Sequence, residues 1–237
     1  MDRSRFYAHL RSAKSRAFGK SLASGQVAGC ERILDEAQRR GVNIYQLAYI
    51  LATTYHETAH TMRPIAEYGK GKGRSYGQPR GPYNQIYYGR GYVQLTHLEN
   101  YVKAGKALGL PLAEFPVMAM EPKTAAMILF QGMLDGWFTG KSLGDYINPP
   151  HVDYVGARRI VNGTDRADLI AAYAVSFEHA LRAAGYLGQA PKPKPAIPPD
   201  PELEAIKNLP PVRFPPPKRG VLAGITDLLL AIFRPWR

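Results

Sequence analysis

The chain has 237 residues, 45% of them hydrophobic, and a formal net charge of +12. This length suits one well-buried domain with additional segments, and the single cysteine, Cys30, excludes an intrachain disulfide and is expected to be a buried thiol. The basic charge favours a polyanionic partner, but no zinc knuckle, basic zipper or RNA-recognition motif accompanies it, so we expect no nucleic-acid partner. Residues 1–6 precede no apolar run, and we therefore expect no secretory signal.

The first 188 residues show mainly the periodicity of helices rather than that of strands. A first apolar stripe covers residues 27–37, and Asn43 is a suitable N-cap for a second helix that Pro64 would close. Further helices are predicted from the Thr96–Glu99 capping box to Leu108, from Pro122 to about Phe138, over roughly 151–161 and over roughly 165–186. Residues 68–92, rich in Gly, Tyr, Pro and Arg, are predicted to form a loop or a short irregular hairpin. The pattern predicts a mainly α-helical domain with one long polar loop.

The composition changes at about residue 189. Residues 191–217 contain 11 prolines and show almost no helical pattern, so we interpret 189–219 as a semi-extended proline-rich linker. The segment 220–237 then carries an apolar run of about 14 residues with basic groups at both ends and Trp236 near its rim. This run is shorter than the ~20 residues that span a bilayer. We expect a short helix that contacts a membrane surface, with a packing or oligomer helix as the alternative.

Two glutamates lie on either side of the helix end predicted at Pro64. Glu57 stands seven residues after Ile50, which places both on one helix face and predicts a partly buried carboxyl group. Burial disfavours the charged form of a carboxyl, and this suits a general acid that works near neutral pH. Glu67 follows the helix end, where the chain can turn and place a second carboxylate across a cleft. The alternatives are an ordinary surface glutamate for Glu57 and a solvated turn residue for Glu67.

The same helix also spells H-E-x-x-H, a signature of zinc peptidases. His56 and His60 are four residues apart, so on a helix they face the same way and could bind zinc, with Glu57 as the general base. Such a site needs a third ligand, and no downstream residue supplies one in a recognisable pattern. The zinc peptidase is therefore the less favoured alternative, and His60 is expected to pack or hydrogen-bond. A third alternative, a non-catalytic envelope-binding module, would not need Glu57.

The loop that follows carries a second motif. It reads Tyr87-Tyr88-Gly89-Arg90-Gly91, then Gln94-Leu95-Thr96 and Asn100-Tyr101. This motif resembles the signature of glycoside hydrolase family 19, and the helix with His56-Glu57-Thr58 resembles the helix of that family that bears the catalytic acid. The similarity is closest to the bacteriophage endolysin branch and covers roughly residues 25–185. It implies a lysozyme-like, two-lobed helical domain over 1–188, followed by the linker 189–219 and the segment 220–237.

The resemblance implies a role for each matching residue. Glu57 resembles the general acid, Glu67 falls where the base is expected, and Thr96 resembles the group that holds the attacking water. Sugar contacts or supporting roles are implied for Tyr88, Tyr92, Gln94, Asn100 and Asn162, the two tyrosines by stacking on sugars. The short spacing between Glu57 and Glu67 departs from plant chitinases and leaves the identity of the base open. Arg90 is expected to tie the glycine-rich loop to carbonyl groups or a carboxylate.

With these residues, the resemblance implies an enzyme that hydrolyses β-1,4 bonds in the peptidoglycan glycan strand with inversion, without a cofactor and without a metal. A chitinase that acts on poly-N-acetylglucosamine is the alternative. We expect synthesis in the cytoplasm of a bacterial host and action on the cell wall in the periplasm, for lysis. A holin is the expected partner that gives access to the wall, and the segment 220–237 is expected to contact the membrane.

Overall fold

The computed structural model describes residues 1–12 and 15–188. The predicted linker 189–219 and the predicted membrane-contacting segment 220–237 lie outside this part of the chain. The described residues form seven α-helices, three 3₁₀ helices and four two-residue strands, which confirms the prediction of a mainly α-helical fold. Among these helices, none combines the length and apolar character needed to cross a membrane.

The helices follow one another along the described chain, with a long connection, residues 58–97, between the third and the fourth. They are α1 (Arg3–Leu10), α2 (Ser24–Arg40), α3 (Ile44–Glu57), α4 (Leu98–Leu108), α5 (Pro122–Asp135), α6 (Leu143–Tyr146) and α7 (Ala167–Ala183). Asn43 caps α3 as predicted, because its side-chain oxygen accepts a hydrogen bond of 2.9 Å from the backbone N–H of Gln46. Pro122 is the first residue of α5, as predicted, where its missing N–H costs no helix hydrogen bond.

Helix α3 lies at the centre of the core. Every residue from Gln46 to Tyr55 is buried, and α3 packs most extensively against α7. Near its C-terminal end the ring of Tyr55 contacts Phe18 at a centroid distance of 4.7 Å and Tyr173 of α7 at 4.9 Å. Full burial of such side chains stabilises the fold by about 1.5–3 kcal/mol each. The end of α3, which carries Glu57, is therefore fixed by the aromatic core.

Helix α3 ends at Glu57, seven residues before the predicted end at Pro64. The hydroxyl group of Thr58 donates a hydrogen bond of 2.7 Å to the carbonyl of Thr54 and accepts one of 3.0 Å from the backbone N–H of Met62. These local bonds offer the backbone an alternative to the helix ladder, and the chain then turns through left-handed residues. Proline is thus not what stops this helix, and the predicted boundary is wrong.

Two small antiparallel ladders complete the fold. Strand β1 (Ile65–Ala66) pairs with β2 (Arg90–Gly91), and β3 (Ile147–Asn148) pairs with β4 (His151–Val152). The long loop predicted over 68–92 connects β1 to β2 and contains a single 3₁₀ turn, so its hairpin form is confirmed. The β1–β2 ladder brings the chain after α3 against the glycine- and tyrosine-rich motif.

Candidate active site

Glu57 stands at the exit of α3 with 16% of its side chain exposed, which confirms the predicted partial burial. Its Oε1 accepts a hydrogen bond of 2.6 Å from Nη1 of Arg158, whose side chain is only 3% exposed. Within the described residues, Oε2 accepts no hydrogen bond. A buried guanidinium offsets the free-energy cost of burying a carboxylate. One oxygen of Glu57 is therefore held by charge, and the other remains available.

Arg158 was not identified by the sequence analysis. It lies in the 3₁₀ helix Gly156–Ile160, in which Ala157 and Ile160 are also buried, and it belongs to no recognisable sequence motif. Its Nε donates a hydrogen bond of 3.0 Å to the carbonyl of Asp165, so it ties Glu57 to the loop 161–166. Asn162 lies in this loop, exposed, and its backbone N–H donates to the carbonyl of Arg158 at 3.1 Å. Its predicted sugar contact stays a prediction.

The two histidines of the H-E-x-x-H stretch do not share a helix face. His60 lies beyond the end of α3 with a φ of 67°, and its ring stacks on that of Tyr55 at 4.2 Å. His56 lies beside Glu57. Burial lowers the pKa of His56, the negative charge of Glu57 raises it and the positive charge of Arg158 lowers it, and the net shift is downward. Across residues 1–12 and 15–188 no cluster of three His, Cys, Asp or Glu suits a metal ion. The zinc peptidase alternative is therefore not supported.

Glu67 directly follows strand β1 and is half-buried. Its Oε1 accepts a hydrogen bond of 3.0 Å from the phenol of Tyr76, and its Oε2 accepts one of 3.2 Å from the backbone N–H of Gly89. The backbone N–H of Glu67 in turn donates to the carbonyl of Gly89 at 2.8 Å. Both carboxylate oxygens thus have neutral donors. Glu67 is not a freely solvated turn residue, and Tyr76 is a supporting residue that the sequence analysis missed.

Gln94 and Thr96 connect the motif to the strand before Glu67. The amide group of Gln94 donates hydrogen bonds of 3.0 Å to the carbonyl of Ile65 and 3.3 Å to that of Gly91. A Cβ at position 89 would lie 2.8 Å from the side-chain oxygen of Gln94, so a larger residue there would displace the Gln94 side chain. The predicted sugar contact of Gln94 stays a prediction.

The hydroxyl group of Thr96 donates a hydrogen bond of 2.7 Å to the carbonyl of Gln94. Helix α4 begins later than predicted, and its N-cap residue, His97, makes no side-chain cap bond, so the predicted Thr96–Glu99 capping box is wrong. Because the only hydroxyl proton of Thr96 is already used, this oxygen can accept a hydrogen bond from a water molecule but cannot donate one. Asn100 supports this position, since its amide donates to the carbonyl of Thr96 at 2.8 Å; its predicted sugar contact stays a prediction.

Arg90 has the structural role that was predicted. Its buried guanidinium donates hydrogen bonds to the carbonyls of Ile86 and Tyr88 at 3.0 and 3.2 Å and to the phenol oxygen of Tyr101 at 3.0 Å. The guanidinium carbon also lies 3.5 Å from the centre of the Tyr88 ring, in cation–π contact. One face of Tyr88 is therefore covered, and stacking on a sugar would have to use the other face.

Tyr92 does not face the site. Its side chain is 1% exposed, and burial raises the pKa of its phenol to about 12. A ring that is enclosed in the core offers no face to a sugar, so the predicted stacking of Tyr92 is wrong. A motif rich in tyrosine does not by itself tell which rings point outward.

The structure therefore gathers the predicted residues into two groups. Glu67, Gln94 and Thr96 all lie around the β1–β2 ladder, where Glu67 binds Gly89, Gln94 binds Ile65 and Thr96 binds Gln94. Glu57 lies at the exit of α3 and pairs with Arg158. The turn 58–64 joins the two groups, so two half-buried carboxylates stand on elements that follow each other directly.

Comparison with known proteins supports the fold. No protein-family model matches the chain. Chitinase 11 of rice (Oryza sativa subsp. japonica) is 33% identical over 109 residues, which make up 46% of this chain and 39% of that protein. The chain thus spans about two fifths of the length of this curated relative.

Comparison with solved structures shows a similar fold over most of the chain. Chitinase C from Streptomyces griseus aligns with 81% of this chain and 78% of its own, with a TM-score of 0.52 and 20% identity. A bacterial family 19 chitinase aligns with 79% of this chain and 96% of its own, with 22% identity and a TM-score of 0.44. The described chain is therefore similar in fold to chitinase C, in agreement with the helical fold predicted from the sequence.

Proposed function

We propose that this chain is a glycoside hydrolase that cleaves β-1,4 bonds between N-acetylated sugars, with the peptidoglycan glycan strand as its substrate. The resemblance of the motif at 87–101 to family 19, the local similarity to a rice chitinase and the fold of chitinase C support this proposal. The observation that carries it is the pair of half-buried carboxylates, Glu57 and Glu67, each supported by a distinct set of donors.

Glu57 is the proposed general acid. Its Oε2 accepts no hydrogen bond from the described part of the chain, so this oxygen can carry the proton that goes to the departing glycosidic oxygen. When the proton leaves, a carboxylate forms 2.6 Å from the guanidinium of Arg158. Arg158 therefore stabilises the form of Glu57 that the bond cleavage produces.

Glu67 is the proposed general base. Tyr76 and Gly89 donate hydrogen bonds to its two oxygens and so hold in place the carboxylate that takes a proton from water. Thr96 can accept the second hydrogen of the same water molecule, because its own proton is bound to the carbonyl of Gln94. Attack of that water on the anomeric carbon, on the face opposite Glu57, inverts the configuration.

Peptidoglycan and chitin share the bond type that this mechanism cleaves. The resemblance to the endolysin branch and the net charge of +12 favour peptidoglycan, because its strands carry charged peptide branches whereas chitin is neutral. The names of the similar proteins favour chitin as the second candidate. Mass analysis of fragments from purified peptidoglycan and from chitin oligomers, with wild-type protein and Glu57→Gln, decides between them and names the bond that is cut.

A membrane role for the segment 220–237 remains part of the proposal, on the strength of its apolar and basic sequence. Removal of residues 190–237 should leave activity on purified walls unchanged and reduce the lysis of intact cells. Equal lysis by the full and shortened proteins would remove the membrane claim.

A further inference from the structure

We propose that the loop of residues 67–76, here called the cation loop, binds carboxylates of the peptide branches on the glycan strand. The loop carries Lys70, Lys72 and Arg74, and it begins at the proposed base, Glu67. This inference rests on the proposed function, because it assigns the loop a part in choosing the substrate of the same site. It adds to the site a second binding surface, which recognises the negative charges of the substrate rather than its sugar rings.

Both ends of the cation loop meet at one carboxylate. The phenol of Tyr76 donates a hydrogen bond to Glu67 at 3.0 Å and so closes the loop. Inside it, the backbone N–H groups of Lys70, Lys72 and Arg74 each donate to the carbonyl three residues earlier, at 2.8 to 2.9 Å. The chain therefore makes successive tight turns, each of which presents one cation. Three positive side chains are tethered beside the proposed base.

Close backbone packing holds the cation loop in shape. Gly71 is buried with a φ of 74°, and a Cβ there would lie 2.6 Å from the Cα of Gly77. A Cβ on Gly77 would lie 1.8 Å from the carbonyl oxygen of Gly71. The two backbone segments are in contact across the loop, so the cations stand on an ordered support. Binding to a preorganised site loses less conformational entropy than binding to a flexible one.

The charges of the cation loop are available to a ligand. Lys70, Lys72 and Arg74 are exposed, and in the described structure none of them forms an ion pair. Glu67 is the only acidic residue within 67–76, and its oxygens already accept two hydrogen bonds. An exposed ion pair contributes little alone, so selective binding needs all three cations together.

Peptide carboxylates fit this surface better than a separate polyanion does. They are covalently attached to the strand that the site holds, so sugar binding raises their local concentration beside the loop. A neutral chitin chain gains nothing from the cations. The loop therefore distinguishes the two candidate substrates by charge.

The test compares two triple variants with the same change of charge. The first replaces the loop cations, Lys70→Gln, Lys72→Gln and Arg74→Gln. The control replaces three exposed cations on other parts of the fold, Arg16→Gln, Lys20→Gln and Lys123→Gln. Each protein is assayed on intact peptidoglycan, on the same strands after their peptide carboxylates have been converted to amides, and on a neutral chitin oligomer.

We expect the loop variant to raise KM on intact peptidoglycan about tenfold, with kcat nearly unchanged, and to match wild type on the two substrates that lack free carboxylates. Ionic strength of about 0.5 M should shrink the difference, because salt screens exposed charges. The control variant should match wild type throughout. Equal KM for the loop and control variants on intact peptidoglycan, or an equal rise on the amidated strands, would overturn the proposal.

Two further results distinguish peptide carboxylates from phosphate as the ligand and distinguish failure of this proposal from failure of the proposed function. If the loop effect vanishes on walls freed of phosphate polymers, phosphate rather than peptide carboxylate is the ligand, and the assignment is wrong.

If wild-type protein cleaves none of the substrates, the proposed function fails. The cation loop is then tested by calorimetric binding of soluble disaccharide-peptides with free and with amidated carboxylates. Tighter binding of the free form by wild type alone supports the site, and equal binding of both forms contradicts it.

Discussion

The two sides of the candidate site hold the same kind of side chain by different means. Glu57 ends a helix that is buried in the aromatic core and pairs at 2.6 Å with a buried guanidinium. Glu67 follows a two-residue strand and is held by a phenol and a backbone amide at 3.0 and 3.2 Å. The guanidinium adds a charge–charge attraction to its hydrogen bond with Glu57, whereas the phenol and the amide hold Glu67 through hydrogen bonds alone. The acid side of the site therefore depends on the core, and the base side depends on a loop.

The largest expected effect comes from Glu57→Gln. The amide has no proton to give, so we expect kcat to fall by about 10³- to 10⁴-fold, the upper range for loss of a general acid. The amide oxygen can still accept the bond from Arg158, so the fold should persist. Release of reducing ends measures activity, and thermal unfolding by circular dichroism is the control. A folded variant with a tenth or more of wild-type activity would contradict the role of Glu57.

A smaller loss is expected for Glu67→Gln, about 10²-fold in kcat. Thr96 can still hold the water molecule, and the donors at Tyr76 and Gly89 still have an amide oxygen to bind. The same assay measures it. If activity stays within twofold of wild type, the base is another group and Glu67 serves structure only.

Arg158→Met tests the charged support on the acid side. It leaves the half-buried carboxylate of Glu57 unpaired and removes the bond to Asp165, so we expect a loss of about 3 kcal/mol in the free energy of unfolding. Urea denaturation measures it, with the exposed neighbour Arg159→Met as the control, for which a change within about 0.5 kcal/mol is expected. Adding Glu57→Gln should recover part of the loss. No recovery would mean that Arg158 stabilises the fold without its ion pair.

Tyr76→Phe tests the neutral support on the base side. The loss of one hydrogen bond to a carboxylate that is partly exposed should cost about 1 kcal/mol, which corresponds to about fivefold in kcat. Stability should change less than in Arg158→Met, since Tyr76 lies in a loop. Tyr68→Phe, in the same loop and 89% exposed, is the matched control and should behave as wild type. Equal kcat for both variants would show that the phenol of Tyr76 does not position the base.

The smallest effect concerns pH. Burial lowers the pKa of His56 below its ordinary value, so the unfolded chain takes up a proton at higher pH than the folded chain does. The contribution of His56 to stability is therefore present above about pH 6.5 and is lost as the pH falls below that value. His56→Asn, made in a Glu57→Gln background to remove the neighbouring carboxyl, should flatten the fall in Tm between about pH 7.5 and about pH 5.5. The control variant His151→Asn, at an exposed position, should leave the fall in Tm unchanged. An equal slope of Tm against pH for the two variants would contradict the assignment.

Local signals made part of the fold predictable. Asn43 and Pro122 lie where short-range capping rules place helix starts, and both positions are confirmed. The end of α3 was missed because a threonine hydroxyl, not the conspicuous Pro64, provides the alternative hydrogen bonds. The prediction for Thr96 failed for a similar reason, because its hydroxyl group donates to the carbonyl of Gln94 instead of capping α4.

The candidate site was predictable in its carboxylates but not in their supports. Arg158 lies 101 residues after Glu57, and only the packing of distant elements brings the two together. Tyr76 is one of many tyrosines in the chain, and nothing in the sequence distinguishes it from its exposed neighbour Tyr68. Tyr92 was wrongly placed because a motif defines residue types and not which way each ring faces. Side-chain direction in irregular loops is set by tertiary contacts that no short sequence pattern encodes.

The central claim is that Glu57 and Glu67 act on opposite faces of one sugar. Proton NMR of the first products released from a β-linked glycan oligomer tests this claim most directly, because it reads the anomeric configuration before mutarotation. The mechanism predicts that the α-anomer appears first. Early appearance of the β-anomer, or intact oligomer after incubation with folded wild-type protein, would contradict it.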